Sequence, residues 1–495
     1  MQNRLPGLLL SGLVLAATLV FDYFLIQCGM VPGRLLFPAL ILLLLPTAMV
    51  WFVALKPAEK LRLAAGVLLA VLFCGALIYG TVALAKVTRT LNSVTTVTTE
   101  TANVGVYVLA EDDAEAISQL TDDIFGIMAE IDRTSTDGAI AQFSEELDAE
   151  IVTVEFDGLT ALADALLNGD CRAIVLNSAF LEVLEEIEGY EDIMDRIREI
   201  SLIEVVEEVV VTVGEQEVQD VQTAADEDAA VSSEDVFVVY ISGIDSRSGL
   251  KARSRSDVNI LAVVNTATHQ ILLVSTPRDY YVPLSISGGA RDKLTHAGIY
   301  GITVSMETME LLYDIDIDYY VKICFEGVED VVDALGGVSV YSEYSFQSSF
   351  DSSLYFTAGY NEMDGREALL FVRERYAFAS GDRQRGKNQM QLIKAVIDKA
   401  MSPDILMKYS SLLAAAEDNF ETSVPYDLIA SLVSDQLSSG ADWEIITYSV
   451  DGTGSSQIPW SMSVSAYVMI PDESTVNTAK ALMQAMLSGE VIEQP

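Results

Sequence analysis

Between Arg366 and Gln391 the sequence sets six cations, Arg366, Arg373, Arg375, Arg383, Arg385 and Lys387, against three acids, Glu367, Glu374 and Asp382. The chain around them carries a formal net charge of -44 at pH 7. The window is therefore a local reversal of sign, and such a reversal concentrates field at one place. Arginine is the side chain whose planar fork matches phosphate oxygens two at a time, so the window reads as the grip on a phosphate-bearing ligand. A second set of charges falls at the ends of expected strands: Asp245 and Arg247 beyond VFVVYISGI, Asp257 at the head of DVNILAVVN, Arg278 and Asp279 beyond ILLVSTP. Open sheets place ligands at strand termini. Two neighbouring carboxylates can hold a magnesium ion, with substrate phosphate completing the octahedron, while arginines neutralise the charge that builds on a departing phosphate. Any one of these residues alone reads as a solvated surface pair, which contributes little. As a set they read as a phosphoryl-transfer site.

Other chemistries are excluded. Gly381–Asn388, GDRQRGKN, is one residue short of a P-loop. Asn388 lacks the hydroxyl that would reach magnesium, long polar side chains fill what should be bare backbone, and no buried strand precedes it. There is no GxSxG nucleophile elbow. The two histidines are His269, in an expected turn, and His296, in KLTHAG, where a hydrogen-bonded helix cap is the plainer role. Four scattered cysteines and two histidines make no zinc site, and Cys171 and Cys324 read as buried free thiols, a disulfide between them in an oxidising compartment being the alternative. The strongly negative charge, with no basic stripe along a helix, excludes a nucleic acid partner.

The elements that must position the site are spread over 495 residues, enough for more than one domain. A 51% hydrophobic composition beside so large a net charge means that apolar residues collect at one end. Three apolar runs, Gly7–Gln27, Leu35–Leu55 and Leu61–Ala83, are each long enough to cross a bilayer core, so residues 1–90 form a membrane anchor. Lys56, Lys60 and Arg62 between the second and third runs, and Arg4 before the first, place the amino terminus in the cytoplasm. Only Arg34 occupies the other loop, and Lys86 and Arg89 weigh weakly the other way. Three crossings leave everything after about Lys86 outside the cell.

Residues Glu100–Asp235 hold 37 Asp and Glu against four Arg and no Lys. Strand and helix patterns nevertheless alternate: VGVYVLA, a helix over Ala114–Ile131, EIVTVEF, LTALADALLNG, CRAIVLN and FLEVLEEIEGY. A small acidic α/β accessory domain over 100–213 is expected, its acids a solvated face, then a polar linker over 214–235. From 236 to 495 three strands, the last two joined as a hairpin by TATHQ, precede a helix near Ile299–Tyr313, the strand YYVKICF and the helix EGVEDVVDAL. Helices over Asp364–Glu374 and Gln384–Lys399, two more helices, the strand WEIITYSV and a helix over Val476–Leu487 follow. The mixed order implies an α/β/α sandwich with a mixed sheet.

The runs SRSDVNILAVVNTATHQILLVSTPRDYYVPL, KLTHAGIYG, DYYVKICFEGVEDVVDALGGVSVYSEY and GREALLFVRERYAFASGDRQRGKNQ resemble the catalytic domain of the LytR–CpsA–Psr family, from about Asp235 to the carboxyl end. The acidic middle resembles the accessory domain some members carry, and three spans depart from the usual one. The resemblance implies a bacterial, membrane-anchored, extracytoplasmic phosphotransferase. It would move a glycopolymer such as teichoic acid or capsule from a polyprenyl-pyrophosphate carrier to a hydroxyl of peptidoglycan. Asp245 and Asp257 would bind Mg2+, and Arg247, Arg278, Arg373, Arg375 and Arg385 the pyrophosphate. Gln389 lies one turn after Arg385 on the same face. Asp245, Asp257, Arg278 and Arg375 would carry catalysis, Lys293 and Asp382 are further candidates, and Arg253 and Arg255 compete for a place at the entrance. The lipid tail would enter an apolar slot beside the helices Ile299–Tyr313 and Leu392–Ala400. Two other functions share these residues: a polyprenyl-pyrophosphate phosphatase, and a wall scaffold that binds the lipid without turnover.

Overall fold

The computed structural model describes residues 5–55, 60–95, 99–209, 235–245, 249–402 and 419–495. They fall into two compact units. The first contains three helices, Leu5–Gln27, Gly33–Leu55 and Lys60–Thr95. Each holds a stretch long and apolar enough to span a membrane, Leu8–Gln27, Gly33–Val50 and Ala64–Thr90. The helix Tyr426–Ser439 belongs to the same unit. Its Tyr426 Oη donates to the Cys28 carbonyl at 2.7 Å, and Arg34 donates to the Ser438 carbonyl, so this helix sits at the loop between the first two apolar helices. Arg4 and Lys56, on which the orientation argument leans, lie outside the described residues.

The second unit is built on two sheets. The first has five strands in the order Val152–Phe156, Ile124–Met128, Ala173–Asn177, Thr99–Leu109, Ile197–Glu208. Here the expected helix over Ala114–Ile131 is corrected. That stretch forms a short 3-10 turn at Ile117–Gln119 and then the strand Ile124–Met128. IFGIM is a compact apolar run whose Phe125–Met128 are all buried between two parallel neighbours, and burial of that run overrides helical spacing in the polar residues before it. Arg172 holds those acids down, bridging Asp112 at 3.0 Å, Asp113 at 2.6 Å and Asp123 at 3.1 Å. The long strand Ile197–Glu208, which the sequence reading did not anticipate, pairs antiparallel along the whole of Thr99–Leu109.

The second sheet has six strands in the order Phe420–Thr422, Tyr319–Cys324, Val236–Ile244, Ser256–Asn265, Gln270–Thr276, Glu444–Ser449. Parallel and antiparallel pairings mix within it. The hairpin after Asn265 is as read, with His269 at φ +54° in its turn. One core gathers Tyr240, Tyr280 and Tyr320 from the sheet side with Met306, Met309 and Tyr313 of the helix Ile302–Tyr313 and Val476, Met483 and Met486 of Glu473–Leu487. The inward face of Ile302–Tyr313, expected to line a lipid slot, is thus occupied by core packing. Of the two further helices expected after residue 400, Tyr426–Ser439 is one; the other would fall in 403–418, outside the described residues. So does the expected linker, from 214 through 234.

The two sheets share a hydrophobic cluster in which Phe180, Leu184 and Ile187 meet Leu284, Ile299 and Met462. Backbone joins them too: Thr101 N donates to Lys251 O and Arg253 N to Thr101 O, both at 2.9 Å. Glu100 adds a side-chain link. Its carboxylate lies 2.7 Å from Lys322 Nζ and accepts from Ile302 N at 2.9 Å, satisfying an orphan N–H at a helix start. The four cysteines are separate buried thiols.

Candidate functional site

The arginine window is shaped by its local structure. Asp364 caps the helix Gly365–Arg373 by accepting from Glu367 N at 2.8 Å, and the Glu367 side chain returns to Asp364 N, a capping box. The helix stops at Glu374. This buried carboxylate accepts from the backbone N–H groups of Ser349, Tyr376 and Ala377 at 2.7, 2.9 and 3.1 Å. Burial opposes its charge, but these bonds prevail and hold the carboxyl below its usual range. Glu374 is therefore a clamp on the turn that feeds the helix Asp382–Ala400. That helix approaches the sheet closely at Gly386, where a Cβ would lie 2.9 Å from Ser275 Oγ.

The start of that helix and the strand ends enclose a cavity of about 430 Å³ lined by Asp257, Arg278, Asp382, Arg385, Lys387 and Gln389 among others. Asp257 is aimed by a β-bulge. Gly243 pairs with Val258 and Ile244 with Ser256, so Asp257 is the extra, unpaired residue of its strand, and bulges turn side chains in this way beside functional sites. Arg278 follows the end of Gln270–Thr276, and its carbonyl accepts from Thr295 N at 2.9 Å. Its Nη1 meets Asp257 Oδ1 at 2.9 Å, and Thr295 Oγ1 donates to the same oxygen at 3.2 Å. Burial works against the Asp257 charge, yet Arg278, Arg255 and Arg385 outweigh it and hold the carboxyl below its ordinary value. Arg385 pairs with Asp382, Arg383 with Asp451 at 2.9 Å and Lys387 with Glu343 at 3.5 Å.

The remaining sequence candidates lie elsewhere. Asp245, exposed, is 4.0 Å from Arg373 Nη2, whose guanidinium also covers the rings of Phe325 and Phe350 at 4.9 and 5.5 Å. Arg375 folds over its neighbour Tyr376, 4.7 Å from the ring centroid. None of Asp245, Arg373 and Arg375 is in the cavity lining. Arg247 lies outside the described residues. Arg253 and Arg255, unranked by sequence, separate clearly. Arg253 turns to Glu207 at 2.9 Å and Glu100 at 3.8 Å, whereas Arg255 joins the site.

Two site-facing residues escaped the sequence reading. Glu186, from the acidic middle, is met by Arg255 Nη1 at 2.5 Å and by Arg278 Nη2 and Lys293 Nζ at 3.4 Å each. Glu182, one turn earlier, is 3.1 Å from Arg255 Nη2. Burial raises the Glu182 carboxyl above its usual range against the pull of Arg255, and Asp245 and Asp257 add to the rise. No local signal marks Glu182 and Glu186 in sequence, because acids surround them on every side.

Two other clusters are settled by geometry. His296 Nδ1 lies 2.7 Å from Asp292 Oδ1 and 2.9 Å from Ser461 Oγ, all three residues fully buried. A catalytic relay needs its serine and aspartate on opposite ring nitrogens; here both use one, so the trio is a structural post. Among the described residues no three His, Cys, Asp or Glu side chains form a ready metal cage. Magnesium does not need one, since it takes one or two carboxylates and completes its shell with phosphate and water. Asp257, a hard oxygen donor in the cavity lining, fits that requirement, with Asp245 outside the lining.

A family model described as the LytR_cpsA_psr family matches residues 206–484. A Bacillus subtilis protein named polyisoprenyl-teichoic acid–peptidoglycan teichoic acid transferase TagU is 34% identical over 230 residues, 46% of this chain and 72% of that one. The Enterococcus faecalis protein of the same name is 34% identical over 211 residues, 42% of this chain and 68% of its own. Among solved structures, that of B. subtilis TagV is 26% identical and covers 52% of this chain and 99% of that one, with a TM-score of 0.44.

Proposed function

The chain belongs to the LytR_cpsA_psr family, and from that premise we propose that it is a membrane-anchored transferase that moves a polyprenyl-pyrophosphate-linked glycopolymer of the teichoic acid class onto a peptidoglycan hydroxyl outside the cell. The observation that carries the reading is the cavity in which Arg278, Arg385, Lys387 and Gln389 converge beside the bulge-aimed Asp257. Cations held with little exposure, as Arg278 and Arg385 are at 11% and 12%, act strongly on charge that develops on a bridging phosphate oxygen. In this reading Arg278 and Arg385 bind the pyrophosphate and neutralise the departing lipid phosphate, while Gln389 and Lys387 orient it. Asp257 fixes Arg278 through their 2.9 Å bond. Arg373, Arg375 and Arg247 would serve the polymer side of the diphosphate. Magnesium held by Asp257 and Asp245 would supply further neutralisation of phosphate charge. The names of the TagU relatives support the substrate and acceptor classes. The three apolar helices support attachment to the membrane that holds the carrier.

The test is transfer by the full-length protein in lipid micelles, from a lipid-linked polymer to peptidoglycan, with magnesium present. Arg278→Ala and Arg385→Ala should each lower turnover by about a hundredfold, the scale of losing one preorganised donor, and chelation should remove activity. Wild-type turnover in both variants would overturn the site. Phosphate release at an unchanged rate without acceptor would replace transfer by hydrolysis.

A further inference from the structure

We propose that Glu186, assisted by Glu182, is an internal competitor for the ligand's phosphate, so that the acidic middle sets the affinity of the site; this rests on the diphosphate reading above. The helix Ala179–Glu185 is pinned by its buried Phe180, Leu181, Val183 and Leu184. Glu182 and Glu186, four residues apart, share its opposite face and meet the cations there. Acids at the carboxyl end of a helix oppose its dipole, so their placement is compensated from outside the helix, by Arg255, Arg278 and Lys293. One carboxylate among three cations, two of them arginines, is the arrangement that a phosphate oxygen would seek.

Charge counting gives the consequence. Arg278, Lys293 and Arg385 pair with Asp257, Asp279 and Asp382, and Arg255, which also acts on Asp257, leaves an excess of one positive charge. The two glutamates turn this into an excess of one negative charge. A diphosphate entering beside them must displace Glu186 from at least one cation. The domain need not move for that, and its buried Glu100–Lys322 pair argues that it does not. The Glu186 and Glu182 side chains retain 32% and 35% of their exposure, so each carboxylate can rotate into water. Burial opposes the Glu186 charge, but Arg255, Lys293 and Arg278 push its carboxyl down to about 2, so it stays an anion across the working pH range.

The experiment is calorimetric binding of inorganic pyrophosphate to the full-length protein in micelles with magnesium, for wild type, Glu186→Gln, Glu182→Gln and Arg278→Ala. Glu186→Gln should tighten binding about tenfold, equivalent to about 1.4 kcal/mol, Glu182→Gln should tighten it less, and Arg278→Ala should weaken it. Unchanged affinity in Glu186→Gln overturns the proposal. Weaker affinity overturns it too, and makes Glu186 a residue that merely positions the cations. If Glu186→Gln does not fold, Glu182→Gln carries the test with the same expected direction. Absence of binding by wild type and every variant would overturn the diphosphate reading itself, and the competitor with it.

Discussion

Glu100→Gln isolates what fixes the two sheets to each other. Glu100 and Lys322 are 2.7 Å apart with side-chain exposures of 3% and 4%. The glutamine keeps an oxygen for Ile302 N, which Glu100 accepts at 2.9 Å, so the change removes charge and little else. Breaking a buried pair from one side costs about 3–5 kcal/mol, because the other charge stays buried. Lys322 also acts on Glu421, which leaves it partly compensated and puts the loss near 3 kcal/mol. For a unit larger than 250 residues each kcal/mol lowers the melting temperature by about 2 °C, so a drop of about 6 °C is expected. Thermal melts of wild type, Glu100→Gln, Lys322→Met and the double variant give the answer. The double variant should be less damaged than the sum of the singles by at least about 1 kcal/mol. A Glu100→Gln melt within a degree of wild type, or strict additivity, would show that this pair does not fix the sheets.

Asp132 should make stability fall between about pH 4 and pH 6. Burial, against the bonds from Ser135 and Asn177, raises its carboxyl to about 6 from 3.8; the folded state therefore holds the proton more tightly, and stability present at low pH is lost as pH rises through the folded value. The shift corresponds to about 3 kcal/mol, and Asp132→Asn, tolerated at this left-handed position of φ +51°, should flatten that part of a pH–denaturation curve. Gly386→Ala should destabilise by about 1–2 kcal/mol by overpacking, although alanine normally gains about 1 kcal/mol over glycine in a helix. Its Cβ would meet Ser275 Oγ at 2.9 Å, so Ser275→Ala should restore stability in urea titrations.

Legibility in the sequence followed the range of the interactions. The apolar runs of the membrane helices and the TATHQ turn at Thr266–Gln270 are local, and they read directly. The strand Ile124–Met128 did not, because its spacing near polar residues suggests a helix and only two neighbouring strands make a strand of it. The hairpin of Gly452–Gln457 with Ala466–Pro471 was also missed; GTGSSQ has no apolar alternation to announce it. Within the site, Asp257, Arg278 and Arg385 were found because charges at strand and helix ends stand out on an acidic background, and Gln389 because it lies one turn after Arg385. Arg375 was ranked beside them from the charge of its window and from the family resemblance, yet it folds over a neighbouring ring and is not in the cavity lining. Glu182 and Glu186 come from the helix Ala179–Glu185 and its end, beside the other sheet, and only the packing of Phe180 and Leu184 into the shared core reveals where they point.

The most direct test is a crystal structure of the protein with a polyprenyl pyrophosphate and magnesium. Density for both phosphates is expected in the cavity beneath Gly386, within hydrogen-bond reach of Arg278 and Arg385, with Asp257 alongside. Phosphate density outside that cavity, over Arg373 and Arg375 alone or on another face, would contradict it.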